Sequence, residues 1–419
     1  MSNGRTERAI EAAWRIDAPR IIAAIARMTG DVATAEDFAQ DALVAALRSW
    51  PEQGVPDNPG AWLMATAKRR AIDHLRRGRM LDRKHEQVAY DADQATTSPE
   101  SDIHDALDDD VGDDLLRLIF TACHPVLSAE ARVALTLRLL GGLTTEEIAR
   151  AFLAPVPTVA QRIVRAKRTL AEAHVPFEMP HVADRAERLG SVLEVVYLIF
   201  NEGYAATTGR EWLRTDLCEE ALRLARVLAG LMPDESEVLG LVALLELQAS
   251  RNRARIDRNG DPVLLMDQDR TLWNRLLIQR GLAALDRAQM LTDTLGPYTL
   301  QAAIAACHAR AHTPEQTDWV RIVALYDALT ELTQSPVVAL NRAVAVAMAY
   351  GADAGLELVE DIADEPSLRG YHLLPAVRAD LLHRIGRDAE AITELERAAA
   401  MTRNERERAL LLDRAASWR

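Results

Sequence analysis

The residues best placed to do chemistry on a nucleic acid lie between positions 143 and 170. Thr158, Gln161, Arg162, Arg165 and Arg168 recur at helical spacing, opposite an apolar stripe of Val159, Ile163, Ala166 and Leu170. Arginine pairs with two acceptors on guanine, glutamine with the donor and acceptor on adenine, and the remaining cations hold phosphates. The segment Leu143 to Phe152 precedes this stretch, with Thr144 or Thr145 suited to cap a short helix. Ala154-Pro155-Val156 is a tight connection, and Pro157 fits the first turn of a helix running to about Ala173. Two helices with so short a turn, the second basic on one face, form a helix-turn-helix pattern.

A second basic group precedes it. Lys68, Arg69, Arg70, Arg76, Arg77, Arg79, Arg83 and Lys84 stand against only Asp73 and Asp82, a net +6 within 17 residues. Such a stripe neutralises phosphates and gives salt-sensitive binding. Upstream again, Glu36, Asp37, Gln40 and Asp41 form an acidic helix start, favourable at the positive end of a helix dipole. Far downstream, Asn201, Glu202 and Tyr204 lie close enough to build a polar site, or simply a helix end closed by Gly203. His308 and His312 share an i,i+4 face, but no third ligand accompanies them, so no metal is expected.

These groups need elements to position them. The chain has 419 residues, 49% hydrophobic and only 5% aromatic. Abundant Ala and Leu favour helix over strand, and an all-α protein is expected. Ile21, Ile22, Ile25 and Met28 mark a first helix, closed by Gly30-Asp31. Phe38, Ala42 and Ala45 mark a second. A proline-rich loop from Pro51 to Pro59 leads into a third, with inner residues Leu63, Ala67, Ala71 and Leu75 beside Trp62. Residues 91–114 hold ten acids and no Lys or Arg, the composition of a flexible linker. From Val182 onward only helical patterns are expected. Gly351-Ala352-Asp353-Ala354 and Gly386-Arg387-Asp388-Ala389 repeat at an offset of 35, near the tetratricopeptide period. The expected organisation is 1–90 and 115–178 as two small helical domains joined by the 91–114 linker, then 179–419 as a helical repeat domain.

Composition excludes several function classes. Cys123, Cys218 and Cys307 are too few and too widely spaced for a disulfide framework or a CxxC metal site, which suits a reducing cytoplasm. Charges interrupt every apolar stretch near the N-terminus, so neither a signal peptide nor a membrane span is expected. There is no Gly-rich phosphate loop and no nucleophile–base pair, so neither enzymatic activity nor a cofactor is expected. The formal charge of −14 divides unevenly. Residues 1–180 carry 22 basic and 27 acidic groups; without the ten linker acids they become mildly basic, at +5.

The order of the acidic helix, the basic helix and the helix-turn-helix resembles the sigma-70 family of RNA polymerase sigma factors, in its extracytoplasmic-function (ECF) group. Residues 34–47 are similar to the region 2 helix that docks on the polymerase clamp, with Asp41 where the family usually has Glu. Ala61-Trp62-Leu63 through Ala71-Ile72-Asp73-His74-Leu75-Arg76-Arg77 resembles the helix that recognises and melts the −10 element. Residues 127–170 resemble region 4, which reads the −35 element, with Pro157 where a small residue is usual. Phe200-Asn201-Glu202-Gly203-Tyr204-Ala205-Ala206-Thr207 resembles the signature of an ECF subgroup with a tetratricopeptide-like extension.

The resemblance implies that Glu36, Asp37, Gln40 and Asp41 hold core RNA polymerase. It implies that Lys68, Arg69, Arg76 and Arg77 grip promoter DNA around the −10 element, and that the recognition helix grips the −35 element. The 51–59 loop is similar in place to the one that captures a flipped base. Asn201, Glu202 and Tyr204 are then a candidate regulatory site, and a regulatory protein is an expected partner of the C-terminal domain. Two other readings are a DNA-binding regulator that acts without polymerase and a repeat-type interaction scaffold.

Overall fold

In a computed structural model, the described residues are 3–89, 111–152, 154–206, 208–209 and 211–419; the side chains of 3–5, 78–89, 111 and 208 are not among them. Most of the expected linker, residues 91–110, therefore lies outside the described residues, as do the side chains of Arg79, Arg83 and Lys84. The chain divides into two units, Met1–Val195 and Val196–Arg419. Both are helical, as expected from composition.

The first unit begins with α1 (Asn3–Thr29), α2 (Val32–Gln53) and α3 (Pro59–Ala89), which pack on one another. Alanines at Ala35, Ala39, Ala42 and Ala46 line the buried face of α2 and allow close approach. Trp50 ends that face, 2% exposed, and meets Trp62 edge-on at 5.4 Å. Asp31 caps α2 through the amides of Ala33 and Thr34. The helix does not stop at Pro51 as expected but runs on to Gln53, where Gly54 at φ +88° closes it. The loop before α3 is correspondingly shorter, and Asn58 receives the amide of Ala61 at 3.1 Å.

Helix α4 (Val111–Ala122) starts earlier than the sequence suggests. Asp113 and Asp114, read as linker, occupy its first turn, where carboxylates complement the helix dipole. Asp114 is also buried, 2.6 Å from Arg117 and 3.3 Å from Arg27 of α1. Then come α5 (Ala129–Leu139), α6 (Thr145–Ala151) and α7 (Val156–Glu172), which pack together. The unit boundary falls inside α8 (Arg185–Tyr204).

The second unit contains, after the end of α8, β1 (Thr208–Gly209), α9 (Thr215–Leu231), α10 (Ser236–Ala249), α11 (Arg275–Met290), α12 (Pro297–Arg310), α13 (Trp319–Thr333) and α14 (Pro336–Tyr350). It ends with α15 (Ala352–Asp361), α16 (Leu373–Arg384), α17 (Asp388–Met401), β2 (Arg403–Asn404) and α18 (Glu405–Ser417). Successive helices pack on one another, and their apolar clusters follow in chain order. Gly240 permits one close crossing: a Cβ there would stand 2.3 Å from Thr299 Oγ1 of α12. The glycines of the 35-residue repeat, Gly351 (φ +111°) and Gly386 (φ +79°), each follow a helix and precede the next.

Two features depart from the purely helical expectation. Residues 251–274 form short 3-10 turns and an isolated bridge between Ile256 and Pro262. The Asp257 carboxylate accepts the amides of Asn259 and Asp261 there, an arrangement that competes with helix. Thr208–Gly209 also pairs in parallel with Arg403–Asn404. Asn404, fully buried, donates from its amide to the carbonyls of Ala206 and Glu211 at 3.0 and 2.9 Å, and caps α18 with its side-chain oxygen.

Candidate functional site

The helix-turn-helix is built as its pattern dictates. Thr144 caps α6, and Glu147 returns a bond to the Thr144 amide at 2.8 Å, which completes a capping box. Pro155 precedes α7, and Pro157 sits in its first turn, where a missing N–H costs nothing. Val159, Ile163, Ala166 and Leu170 are the buried residues of α7. Burying each of the larger three stabilises the unit by about 1.5–3 kcal/mol and fixes the rotation of the helix. That rotation leaves Thr158, Gln161, Arg165 and Arg168 exposed and Arg162 half-buried. Arg168 is braced by Glu172 at 2.7 Å, one turn on.

On α3, Arg69, Arg76 and Arg77 are exposed and Lys68 is half-buried. Arg77 Nε donates to the Asp73 carbonyl at 3.2 Å, and Arg70 pairs with Asp41 of α2 at 2.6 Å. The stripe thus runs along the helix side away from Leu63, Ala67 and Ala71.

The acidic group on α2 is divided. Asp37 and Asp41 are exposed and Gln40 is half-buried. Val44 and Leu47 extend the same outer surface, at 42% and 47% exposure. Glu36 is different: it is 2% exposed and lies against one cation of α5 and one of the helix-turn-helix. Arg138, in the last turn of α5, donates from Nε to Glu36 Oε1 at 2.7 Å, and Lys167 of α7 pairs with Oε2. Burial alone would raise the Glu36 pKa, but Lys167 and Arg138 together hold it below the usual carboxylate range. Arg15 of α1 adds a pair with Glu147 at 2.8 Å. Beside this contact, Asp31, Lys167, Leu170 and His174 help to line a cleft of about 360 Å³.

The residues of the 201–204 tract go separate ways. Asn201 is exposed, and Glu202 pairs with the buried Arg214 at 3.1 Å. Tyr204 stacks on Phe200 and receives the guanidinium of Arg255 on its ring. Tyr204 meets a cluster formed with Arg251 and Arg255, and periodicity gave no sign of those two residues. Among the described residues, no group of three or more His, Cys, Asp or Glu could hold a metal, and no helix is long and apolar enough to cross a membrane.

Comparison with known proteins gives the geometry a context. Residues 15–80 match the family model described as Sigma-70 region 2, and residues 117–170 the one described as Sigma-70, region 4. Residues 188–289 match a family of unknown function, DUF6596. A protein of Rhizobium meliloti (strain 1021), described as uncharacterized, is 46% identical over 94% of this chain and 92% of its own length. A probable ECF RNA polymerase sigma factor, SigI of Mycobacterium tuberculosis, is 28% identical over 40% of this chain and 56% of its own length.

Proposed function

The chain belongs to the sigma-70 family, in its extracytoplasmic-function group, and from that premise we propose that it binds core RNA polymerase and directs it to specific promoters. The observation that carries this reading is the helix-turn-helix, whose apolar stripe is buried while Thr158, Gln161 and Arg165 face outward. These side chains read base edges of the −35 element, and Arg162 and Arg168 hold its phosphates. Lys68, Arg69, Arg76 and Arg77 engage the −10 element. Asp37 and Asp41, with Gln40 beside them, offer core polymerase a carboxylate-rich face next to apolar Val44 and Leu47.

In the arrangement described, Glu36 is held by Arg138 and Lys167. It reaches polymerase only once those pairs separate, so polymerase binding and the closed contact compete. The second unit is a regulatory module in this reading. Run-off transcription with core polymerase and genomic DNA fragments tests the proposal. Promoter-dependent transcripts that vanish with Asp37→Arg support it. Specific DNA binding with no transcript and no polymerase capture would leave a DNA-binding regulator instead.

A further inference from the structure

The non-helical stretch 251–274 gathers three guanidinium groups. Arg251 and Arg255 flank the turn Asn252–Ala254, and Arg270 opens the turn Arg270–Leu272. Arg255 and Arg270 are each only 7% exposed. Arg255 lies over the Tyr204 ring, 3.4 Å from its centre, and donates to the Tyr204 carbonyl. Arg251 donates to the Tyr204 hydroxyl at 2.5 Å and to Gln248. Arg270 donates to the carbonyls of His308 and Ala311 at 2.8 and 2.7 Å, and to Thr317 Oγ1 at 3.3 Å.

Every one of these acceptors is neutral. Among the described residues, no carboxylate stands within ion-pairing distance of any of the three arginines. Elsewhere the same unit matches its buried charges: Arg214 has Glu202, and Glu246 has Arg226. Buried charges need a partner, and like charges crowded away from water repel. Consistent with such crowding, burial and the neighbouring Arg251 both press the pKa values of Arg255 and Arg270 downward.

A second observation points to the same place. Arg270 Nε, Trp273 Nε1 and His308 Nδ1 are buried with no hydrogen-bond partner. Trp273 lies against both Arg270, at 4.8 Å, and Arg251, at 5.8 Å. Burial, with Arg251 and Arg270 nearby, lowers His308 to about 3, so it adds no charge of its own. Glu315 attracts Arg270 only from beyond ion-pairing distance, so the cluster combines positive charge without a direct carboxylate partner with unused donors.

We propose that Arg251, Arg255 and Arg270, together with the indole N–H of Trp273, form a binding site for a small oxyanion, the phosphate or carboxylate group of a free small molecule. A guanidinium fork matches two oxygens of such a group. The burial of Arg255 and Arg270 admits a compact group and excludes a nucleic-acid backbone or a folded protein surface. Arg251 is only half-buried, which leaves it the most accessible of the three, and Tyr204 and Trp212 lie against the Arg255 guanidinium.

The test uses the full chain without polymerase, so it stands or falls independently of the promoter reading. Inorganic phosphate and malonate are titrated separately against sodium chloride at matched ionic strength, by thermal shift and calorimetry. At least one of them gives a saturable stabilisation; phosphate alone identifies a phosphorylated ligand and malonate alone a carboxylate. Arg251→Gln, at a half-buried position and with its fold checked by circular dichroism, weakens the apparent affinity roughly tenfold or more. Arg253→Gln, exposed beside the cluster, titrates as the wild type. No saturable shift with either anion, or equal weakening by Arg251→Gln and Arg253→Gln, overturns the proposal.

Discussion

Arg138 and Glu36 join the last turn of α5 to the first turns of α2, with Nε 2.7 Å from Oε1. Lys167 closes on the other carboxylate oxygen from α7. One carboxylate on α2 thus neutralises a cation of α5 and a cation of the helix-turn-helix. Removing a cation lowers the cost of separating them. Lys167→Met weakens the closed contact by about 1–2 kcal/mol, which corresponds to a 5–30-fold shift in its population. Core polymerase then binds several-fold more tightly in a competition assay; unchanged or weaker binding contradicts a competing contact.

The same pair makes the first unit pH-sensitive. Glu36 has a folded pKa below its ordinary value of 4.5. Its contribution is fully present above about pH 4.5 and is lost as the pH falls through the lower folded value, because the unfolded chain then binds more protons. Urea unfolding followed between about pH 6 and pH 3 shows a decline in stability that is smaller in Glu36→Gln.

Asp37 is exposed on α2, and no ion pair or hydrogen bond holds its side chain among the described residues. Asp37→Arg leaves the thermal midpoint unchanged, and capture of core polymerase falls at least tenfold. Equal capture by the variant and the wild type counts against α2 as the docking helix.

On α7, Gln161→Ala and Arg165→Ala reduce discrimination at individual promoter positions, by about 1–3 kcal/mol for each lost base contact. Arg168→Ala instead weakens all sequences alike and lowers the salt slope by about one. Binding isotherms across salt concentrations separate the two behaviours.

Asn404 supplies two donors and a helix cap from a fully buried position. Asn404→Ala destabilises the second unit by about 2–4 kcal/mol, measured by chemical denaturation. A loss below about 1 kcal/mol would mean that the β1–β2 pairing closes without it.

Much of the helix-turn-helix was legible in the sequence, because its signals are local. The stripe of Val159, Ile163, Ala166 and Leu170 and the Thr144 cap depend on residues within two turns of one another. The partners of Glu36 were not legible, since Arg138 lies 102 residues away and periodicity says which face is apolar, not which faces meet. The arginine cluster escaped for a related reason: Arg270 joins Arg251 through a chain reversal at Gly260, with no repeating pattern to mark it. The 201–204 tract read either as a polar site or as a helix end with Glu202 paired to a nearby Arg; the sequence did not say which arginine, and the fold sent Glu202 to Arg214 and Tyr204 to Arg255.

The pairing of Thr208–Gly209 with Arg403–Asn404 has a consequence for synthesis on the ribosome. This early strand of the second unit waits for a partner made only after all the intervening helices. Intervening helices can form and stack as they emerge, but the Asn404 closure cannot. At about 5–20 residues per second, the nascent unit spends some ten seconds or more with its first edge unsealed. During that interval Thr208–Gly209 lacks its strand partner and is open to chaperones, and to misassociation with another nascent copy.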